Sequence, residues 1–404
     1  MKTIAPTLPI PKPDAPVNYP DVATWSCRTQ DCTVYVIPNS HLIDPEIWKS
    51  AFAGCKDYRY FEIVEESLYD QFDQKYFVIR NEQTGEIAVQ PFFFVDQDLA
   101  AGLPARIRHT LASVRKFWPR FMNLRMMMIG CAEGDGQLHH EEPWAVNALH
   151  DAVLQYARKE KAAMIILKAF PAIYRASLGV FSSNGYRRVP SMPGGRMEID
   201  FKSFEEYMQM KLSRIFRKNL RRKFKKSEQS APMTMEVLND VTPCIDEVYG
   251  LYLQTYNRSE FKFEKLTKDF LCSVGRRIPE RTRFFLWRQE GRIIAFALCM
   301  VHGDTIYDLN VGMDYAIALD LHLYFVTFRD IIQWAAGNGM KHYQTGPLNY
   351  DPKLHLKLDL DPLDLYARHT SDWINPVFNI ALKYLQPARH DPFIPQFRNA
   401  ADLY

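Results

Sequence analysis

Between Lys211 and Lys226, nine of sixteen residues are Lys or Arg, and no acid follows until Glu228. A solvated helix face ordinarily mixes signs, because like charges three and four residues apart repel. A one-sign cluster marks contact with an anion, and Arg in particular offers a planar fork matched to phosphate oxygens. Arg214, Arg217, Lys218, Arg221, Arg222 and Lys225 are therefore candidate binders of a diphosphate, a phosphorylated substrate, an RNA backbone or an anionic membrane surface. Leu212, Ile215, Phe216, Leu220 and Phe224 recur every three to four residues and make one apolar stripe. Both Phe residues fall on that stripe, where they read as core contacts and not as a base-stacking platform.

Three other places hold side chains suited to proton transfer or polar binding. In the strand-like run "TIYDLNVGM", Tyr307, Asp308 and Asn310 are polar. Residues two apart on a strand point the same way, so Asp308 and Asn310 are expected to share a face. Tyr343 lies in the next strand-like run, "HYQTG". In "GPLNYDPKLHLKLDLD", Tyr350 precedes a helix opened by Asp351 and Pro352, with Lys353 and Lys357 on one face and His355 on another. "AEGDGQLHHEEP" gathers Glu133, Asp135, His139, His140, Glu141 and Glu142. It lacks HxH and HExxH spacing, so no metal is expected. Its Gly-Asp-Gly turn just before a helix makes Glu133 and Asp135 candidates for holding a substrate amine or phosphate. "SMPGGR" (residues 191–196) reads as a hairpin turn.

The rest of the chain is not basic. Fifty Lys and Arg face 47 Asp and Glu, a net charge of +3 over 404 residues, so total charge does not mark a nucleic-acid binder. A 47% hydrophobic composition implies a large core, and the length implies two domains. No run of eighteen apolar residues occurs and the N-terminus lacks an apolar signal region, which predicts a cytoplasmic protein. Seven scattered cysteines without a CxxC pair imply buried thiols, Cys299 in "IIAFALCMV" among them.

The elements that must position these residues occur twice. "YFVIRNEQTGEIAVQPFFFV" from Tyr76 and "FFLWRQEGRIIAFALCMVHGDTIYDLNVG" from Phe284 each read as strand, Gly turn, strand. Each follows a Pro-opened helix ("DPEIWKSAFAG", "TPCIDEVYGLYLQTYNRS") and precedes a helix-strand pair ("EPWAVNALHDAVLQYARKEKA" with "AMIILKAF", "LDLHLYFVTFRDIIQWAAGNG" with "KHYQTG"). Each half ends in a further short helix and strand. This predicts an internal duplication of an α+β unit, helices on a mostly antiparallel sheet. The expected divisions are a Pro-rich extended leader over 1–30, a first domain over 31–201, a basic helix at 202–230, a second domain over 231–387 and a tail over 388–404.

This order of elements, its tandem repetition and the helix "LSRIFRKNLRRKFKK" opening the second half resemble the GNAT superfamily of N-acyltransferases. Within it they resemble the FemAB-like tandem proteins and relatives described as peptidoglycan biosynthesis or recognition proteins. The resemblance implies a three-layer α/β GNAT-like fold used twice, and an N-acyltransferase that joins an acyl or aminoacyl group to an amine by direct attack. Acyl-CoA or aminoacyl-tRNA is the implied co-substrate and a small polar amine, amino-acid-like or phosphorylated, the acceptor. It implies a cleft between the strands "TIYDLNVGM" and "HYQTG", with Asp308 as base beside Asn310, and Tyr350 as acid with Tyr343 as the alternative. Lys353 and the basic helix would hold the anionic part of a substrate. Two departures stand out: neither half has the Q/R-x-x-G-x-G/A diphosphate loop, and no long heptad insertion reaches toward transfer RNA. The second reading is a non-catalytic protein docking through its basic helix on RNA, a membrane or a cell-wall precursor.

Overall fold

The computed structural model describes residues 17–98, 123–230, 232–259, 262–384 and 386–404. Most of the Pro-rich leader lies outside them, and its described part is already folded. In chain order the first half contains α1 (Tyr19–Val22), β1 (Trp25–Arg28), β2 (Cys32–Ile37), α2 (Pro45–Ala51), α3 (Tyr58–Ser67), β3 (Asp73–Asn81), β4 (Ile87–Asp98), β5 (Asn123–Ile129), α4 (Pro143–Lys159), β6 (Met164–Pro171), α5 (Gly179–Ser183), β7 (Arg187–Pro190) and β8 (Gly194–Glu198). The second half contains α6 (Phe204–Lys211), α7 (Arg214–Glu228), β9 (Met233–Leu238), α8 (Ile245–Arg258), α9 (Lys268–Arg277), β10 (Thr282–Gln289), β11 (Arg292–His302), β12 (Thr305–Met313), α10 (Leu323–Gly337), β13 (His342–Thr345), α11 (Tyr350–His355), β14 (Asp359–Asp361), β15 (Leu363–His369) and α12 (Asn375–Leu382).

Local chemistry accounts for most of these boundaries. Asp44 accepts from the amides of Glu46 and Ile47 and so starts α2, with Pro45 in the first turn. Glu290 and Gly291 both take positive φ, the backbone a two-residue turn needs to match strand twist, and this turn fixes the register of β10 against β11. The two hairpins are antiparallel as expected.

The described strands form two mixed sheets, in the orders β1-β2-β3-β4-β5-β6-β15-β7 and β14-β8-β13-β12-β11-β10-β9. Each has an antiparallel meander followed by a parallel pair, β5 with β6 and β12 with β13, reached through α4 and α10. That correspondence is the duplication. The ends of the halves, however, are exchanged: β15 lies between β6 and β7, while β8 lies between β13 and β14. The two compact units are accordingly not contiguous. One comprises residues up to 53, 69–188 and 366–380, and the other 54–68, 189–365 and 381–404. This replaces the expected cuts at 201 and 387. The segment 54–68 belongs to the second unit because α3 is tied to α9: Arg277 pairs with Glu62 and Glu66, and Tyr60 meets the edge of Phe270.

In the second unit, Phe285, Trp287, Ala295, Ala297 and Cys299 form one face of the sheet under α6, α7 and α10. The opposite face is closed at Gly312, where an added Cβ would lie 2.3 Å from Phe296 and 2.7 Å from the amide of Tyr252 on α8. The expected 388–404 tail is part of this unit, its Ile394, Phe397 and Leu403 packing with Tyr350 and Leu360. "SMPGGR" is not a hairpin turn. Gly194 and Gly195 lie in β8, where a Cβ on the second would press on Thr345 and Leu358 at 3.1 Å.

Candidate active site

The site begins with one extra residue in β12. Leu298 pairs with Asn310 and Cys299 with Asp308, so Leu309 has no opposite number and forms a β-bulge. The insertion reverses the expected geometry. Asp308 faces the Cys299 side of the sheet and Asn310 the Leu298 side, where its amide nitrogen is buried without a partner among the described residues. The parallel pairing of β12 with β13 ends at Asp308 and Thr345, and the Gly346 amide makes a last bond to the Asp308 carbonyl at 3.3 Å. Beyond that point the strands enclose a cavity of about 140 Å³ lined by Asp308, Tyr324, Tyr343, Thr345, Asn349 and Lys353 among others.

Asp308 is the centre of this cavity. Tyr343, a strand residue, donates its hydroxyl to Asp308 Oδ2 at 2.8 Å, and Cys299 Sγ lies 3.8 Å from Oδ1. The residue keeps partial solvent access while its carboxyl is surrounded by protein. Burial pushes the acid up to about 6, against the Tyr343 hydrogen bond and the Lys353 charge, both of which favour the carboxylate. Lys353, on α11, is buried and donates to the Gly346 carbonyl. Burial draws its ammonium down to about 8, with the Asp308 charge opposing. A carboxylate that accepts a proton near neutrality thus faces an amine that gives one up readily.

The loop into α11 holds the wall in place. Leu348 and Asn349 are consecutive residues with φ of 73° and 55°, a left-handed backbone that side chains rarely adopt. The Asn349 side chain hydrogen-bonds the Tyr324 hydroxyl, which burial raises above its ordinary range. Tyr324 and Asn349 escaped sequence reasoning: Tyr324 sits in the apolar helix "LYFVTF", and Asn349 looks like an ordinary turn residue.

Tyr350 is not part of this arrangement. It is the first residue of α11 with Asn349 as N-cap, it is 2% exposed, and its hydroxyl donates to the Pro193 carbonyl at 2.8 Å while its ring meets the edge of Phe397. Lys357 lies past the end of α11 with φ of 59° and does not share a helical face with Lys353.

The basic stretch is two helices, α6 and α7, with Ser213 capping the second through the Phe216 amide. Leu220 and Phe224 are buried as the stripe predicts, but Ile215 is 84% exposed. Several cations are already engaged. Arg217 donates to the Gln209 carbonyl at 3.0 Å and the Leu212 carbonyl at 3.2 Å at the end of α6, and Arg221 pairs with Glu205. Lys223 lies 3.6 Å from the Phe325 ring centroid and Lys226 3.6 Å from Asp320. Arg214, Lys218, Arg222 and Lys225 are exposed. Arg222, Lys223 and Lys226 also act on His322, the left-handed residue before α10, whose protonation is disfavoured by burial and by these charges.

The turn from β12 to α10 supplies few open amides. Those of Ile317 and Ala318 bind the Asp314 carbonyl, Leu321 binds Ile317, His322 binds Leu319 and Leu323 binds Ala318. The Tyr315 amide donates to Gln254 and that of Ala316 to the Asp314 carboxylate. A backbone cradle for a diphosphate is therefore not formed by this turn, in keeping with its sequence.

In the first unit the Gly-Asp-Gly turn is closed rather than cradling. Lys168 donates to the carbonyls of Cys131 and Gly134, and a Cβ at Gly136 would meet Phe170 at 2.6 Å. Glu133 is buried, Asp135 is exposed, and the next helix begins only at Pro143, so neither lies at a helix N-terminus. His139 accepts from the Val89 amide, and burial next to His140 lowers it to about 4. No group of metal-ligating side chains forms among the described residues.

A family described as "Acetyltransferase (GNAT) domain" matches residues 214–354, from the first residue of α7 past Lys353. Solved structures similar to this chain include a C-terminal domain described as that of a lysylphosphatidylglycerol synthetase from Agrobacterium fabrum, at 13% identity and TM-score 0.48, covering 76% of this chain and 88% of that one. FemX is similar at 13% identity and TM-score 0.47, with 74% and 89% covered. A tandem GNAT protein from the clavulanic acid biosynthesis pathway is similar at 10% identity and TM-score 0.39, with 74% and 84% covered. No curated protein sequence matches the chain.

Proposed function

We propose that this chain, whose residues 214–354 match a GNAT acetyltransferase domain, is an acyltransferase of that superfamily and forms an amide between an acyl or aminoacyl donor and an amine acceptor in the cavity at Asp308. The observation that carries the reading is the buried trio of Asp308, Tyr343 and Lys353 where β12 and β13 part. The acceptor nitrogen attacks the donor carbonyl carbon and a C–N bond forms. Its surplus proton passes to the Asp308 carboxylate, held in position by Tyr343. The C–S or C–O bond to the leaving group breaks, and the Lys353 ammonium protonates the departing sulfur or oxygen. Return of the proton from Asp308 to Lys353 restores both groups. No covalent enzyme intermediate is needed.

The phosphate-bearing end of the donor rests on side chains in this reading: Arg214, Lys218, Arg222 and Lys225, exposed cations of α7 that are not engaged as Arg217, Arg221, Lys223 and Lys226 are. The occupied amides of the 314–322 turn support this division of labour. Acyl-CoA and aminoacyl-tRNA both present phosphates to such a surface.

The test uses thermal stability and turnover together, on the whole chain and on Asp308→Asn. Short and long acyl-CoAs and charged transfer RNA are the donors, with amino acids and small amines as acceptors. A donor at a hundredfold its Kd stabilises the fold by about 2.7 kcal/mol. The expected result is one donor class that stabilises both proteins but is consumed only by the wild type. Equal turnover by Asp308→Asn places the chemistry elsewhere, and stabilisation by no donor refutes the donor site.

A further inference from the structure

Helix α12 is fastened to the first unit by Asn375 and Asn379, with Phe378 half-buried beside His369, and it carries a second set of apolar residues that face solvent. Asn375 is buried; its amide donates to the Gly185 carbonyl at 2.8 Å and its oxygen accepts from the His369 amide at 3.0 Å. Asn379, one turn on, donates to the same carbonyl at 3.0 Å. Gly185 admits this approach because its φ is 87° and it has no Cβ; one built there would stand 3.3 Å from Asn375. On the outer side, Trp373 is 93%, Val377 68% and Ile380 59% exposed, and Ile374 is half exposed. Their spacing of four and three residues makes one stripe. A surface helix of a globular protein normally turns such a stripe inward. Here Phe378 and Leu382 are half-buried while a further apolar stripe is held outward, and such an exposed stripe marks an interaction surface.

Charge identifies the partner. Asp372, the acid next to Trp373, is taken up by Arg158 and Arg368 at 2.6 Å each. From Trp373 to His390 the sequence has no acid and carries Lys383, Arg389 and His390. Trp beside aliphatic residues, followed by cations and free of acids, fits the boundary between the headgroups and acyl chains of an anionic bilayer. We infer that α12 docks this protein on an anionic membrane surface, with Trp373, Val377 and Ile380 entering the headgroup boundary. The helix lies on the surface and does not cross it; no helix among the described residues is long and apolar enough to do so.

The experiment is co-sedimentation of the full chain with vesicles of phosphatidylcholine alone or mixed with phosphatidylglycerol, repeated at raised salt. Wild type is expected to pellet with the mixed vesicles, less with the neutral ones, and less at high salt. The combined change Trp373→Ser, Val377→Ser and Ile380→Ser leaves Asn375 and Asn379 in place; it should keep the melting temperature and lower vesicle partition by about tenfold or more. Lys383→Gln with Arg389→Gln should remove only the preference for the anionic lipid. Light scattering on the same samples supplies the opposing result. A dimer that the triple change dissolves, in a protein that ignores both vesicles, makes the stripe a contact between copies and overturns the proposal. Equal vesicle binding by wild type and triple variant overturns it as well.

Discussion

Replacing Asp308 by Asn should make the protein more stable and less active, and the gain in stability should depend on pH in a calculable way. The carboxyl has an ordinary value of 3.8 and is pushed up to about 6 by burial. Below the lower value both folded and unfolded chains hold the proton. Between the two values the folded chain holds a proton that the unfolded chain has released, so this group's contribution to stability falls as pH rises through the window and stays low above it. At about 1.4 kcal/mol per pH unit, the loss by pH 7 is about 3 kcal/mol. Asn cannot titrate, yet its side-chain oxygen can still accept the Tyr343 hydroxyl, so the variant escapes this loss. Lys353 takes part of the gain back, because its ammonium loses a partner; its value of about 8 lets it shed the proton at modest cost. A net gain of about 1–2 kcal/mol at pH 7.5 is therefore expected, with none at pH 4. Denaturant midpoints of both proteins at pH 4, 5.5 and 7.5 give the difference curve, and turnover should fall by about 10²–10⁴. A difference that is flat with pH, or a variant less stable at pH 7.5 than wild type, would show that Asp308 does not sit in the environment described and would remove the basis for its role as base.

Three further outcomes test neighbouring residues. Lys353→Gln removes the charge that favours the Asp308 carboxylate, so the acid limb of the kcat/KM profile, expected near pH 6 in wild type, should move to higher pH. Joint replacement of Arg214, Lys218 and Arg222 by Ala should raise KM for a phosphate-bearing donor about 10- to 100-fold, flatten its salt dependence and leave kcat nearly unchanged. Tyr350→Phe should leave kcat/KM within about twofold of wild type and cost about 1 kcal/mol in thermal unfolding, as loss of one bond to Pro193 and not loss of an acid.

How far the sequence could be read depended on the range of the interaction involved. The β3-β4 and β10-β11 hairpins were legible because register there is set by a two- to five-residue turn and by strand composition. The exchange of β8 and β15 was not: each short strand finds neighbours more than a hundred residues away, and its own pattern suits either sheet. At the candidate site, Asp308 and Tyr343, which line one cavity, are legible in the sequence as polar groups in strands otherwise bound for burial. The separation of Asp308 from Asn310 was hidden, since alternation along a strand assumes no bulge and nothing in "TIYDLNVGM" marks Leu309 as the extra residue. Tyr350 was misread for a related reason. A Tyr beside a helix start has one polar atom, and only the fold shows whether that atom meets a cavity or a backbone carbonyl.

The basic helix shows why a charge run overstates the size of a binding surface. Nine cations stand in sequence between Lys211 and Lys226. Lys211 pairs with Asp200, Arg217 closes α6, Arg221 pairs with Glu205, Lys223 covers the Phe325 ring and Lys226 reaches Asp320. The Lys211 pair belongs to α6 and the other four contacts help hold α7 in place, which leaves four exposed cations as candidates to meet an anion. The four are solvated and screened, so each contributes little alone, and a ligand must span several of them to bind. Protonation of His322 is disfavoured, first by burial and then by the charges of Lys223, Lys226 and Arg222. The neighbouring turn adds no cradle, because most of its amides are already bonded. A donor held this way is selected by the spacing of its phosphates along a helix and not by a backbone pocket, and its affinity should fall steeply with salt where a backbone-cradled diphosphate would be less affected.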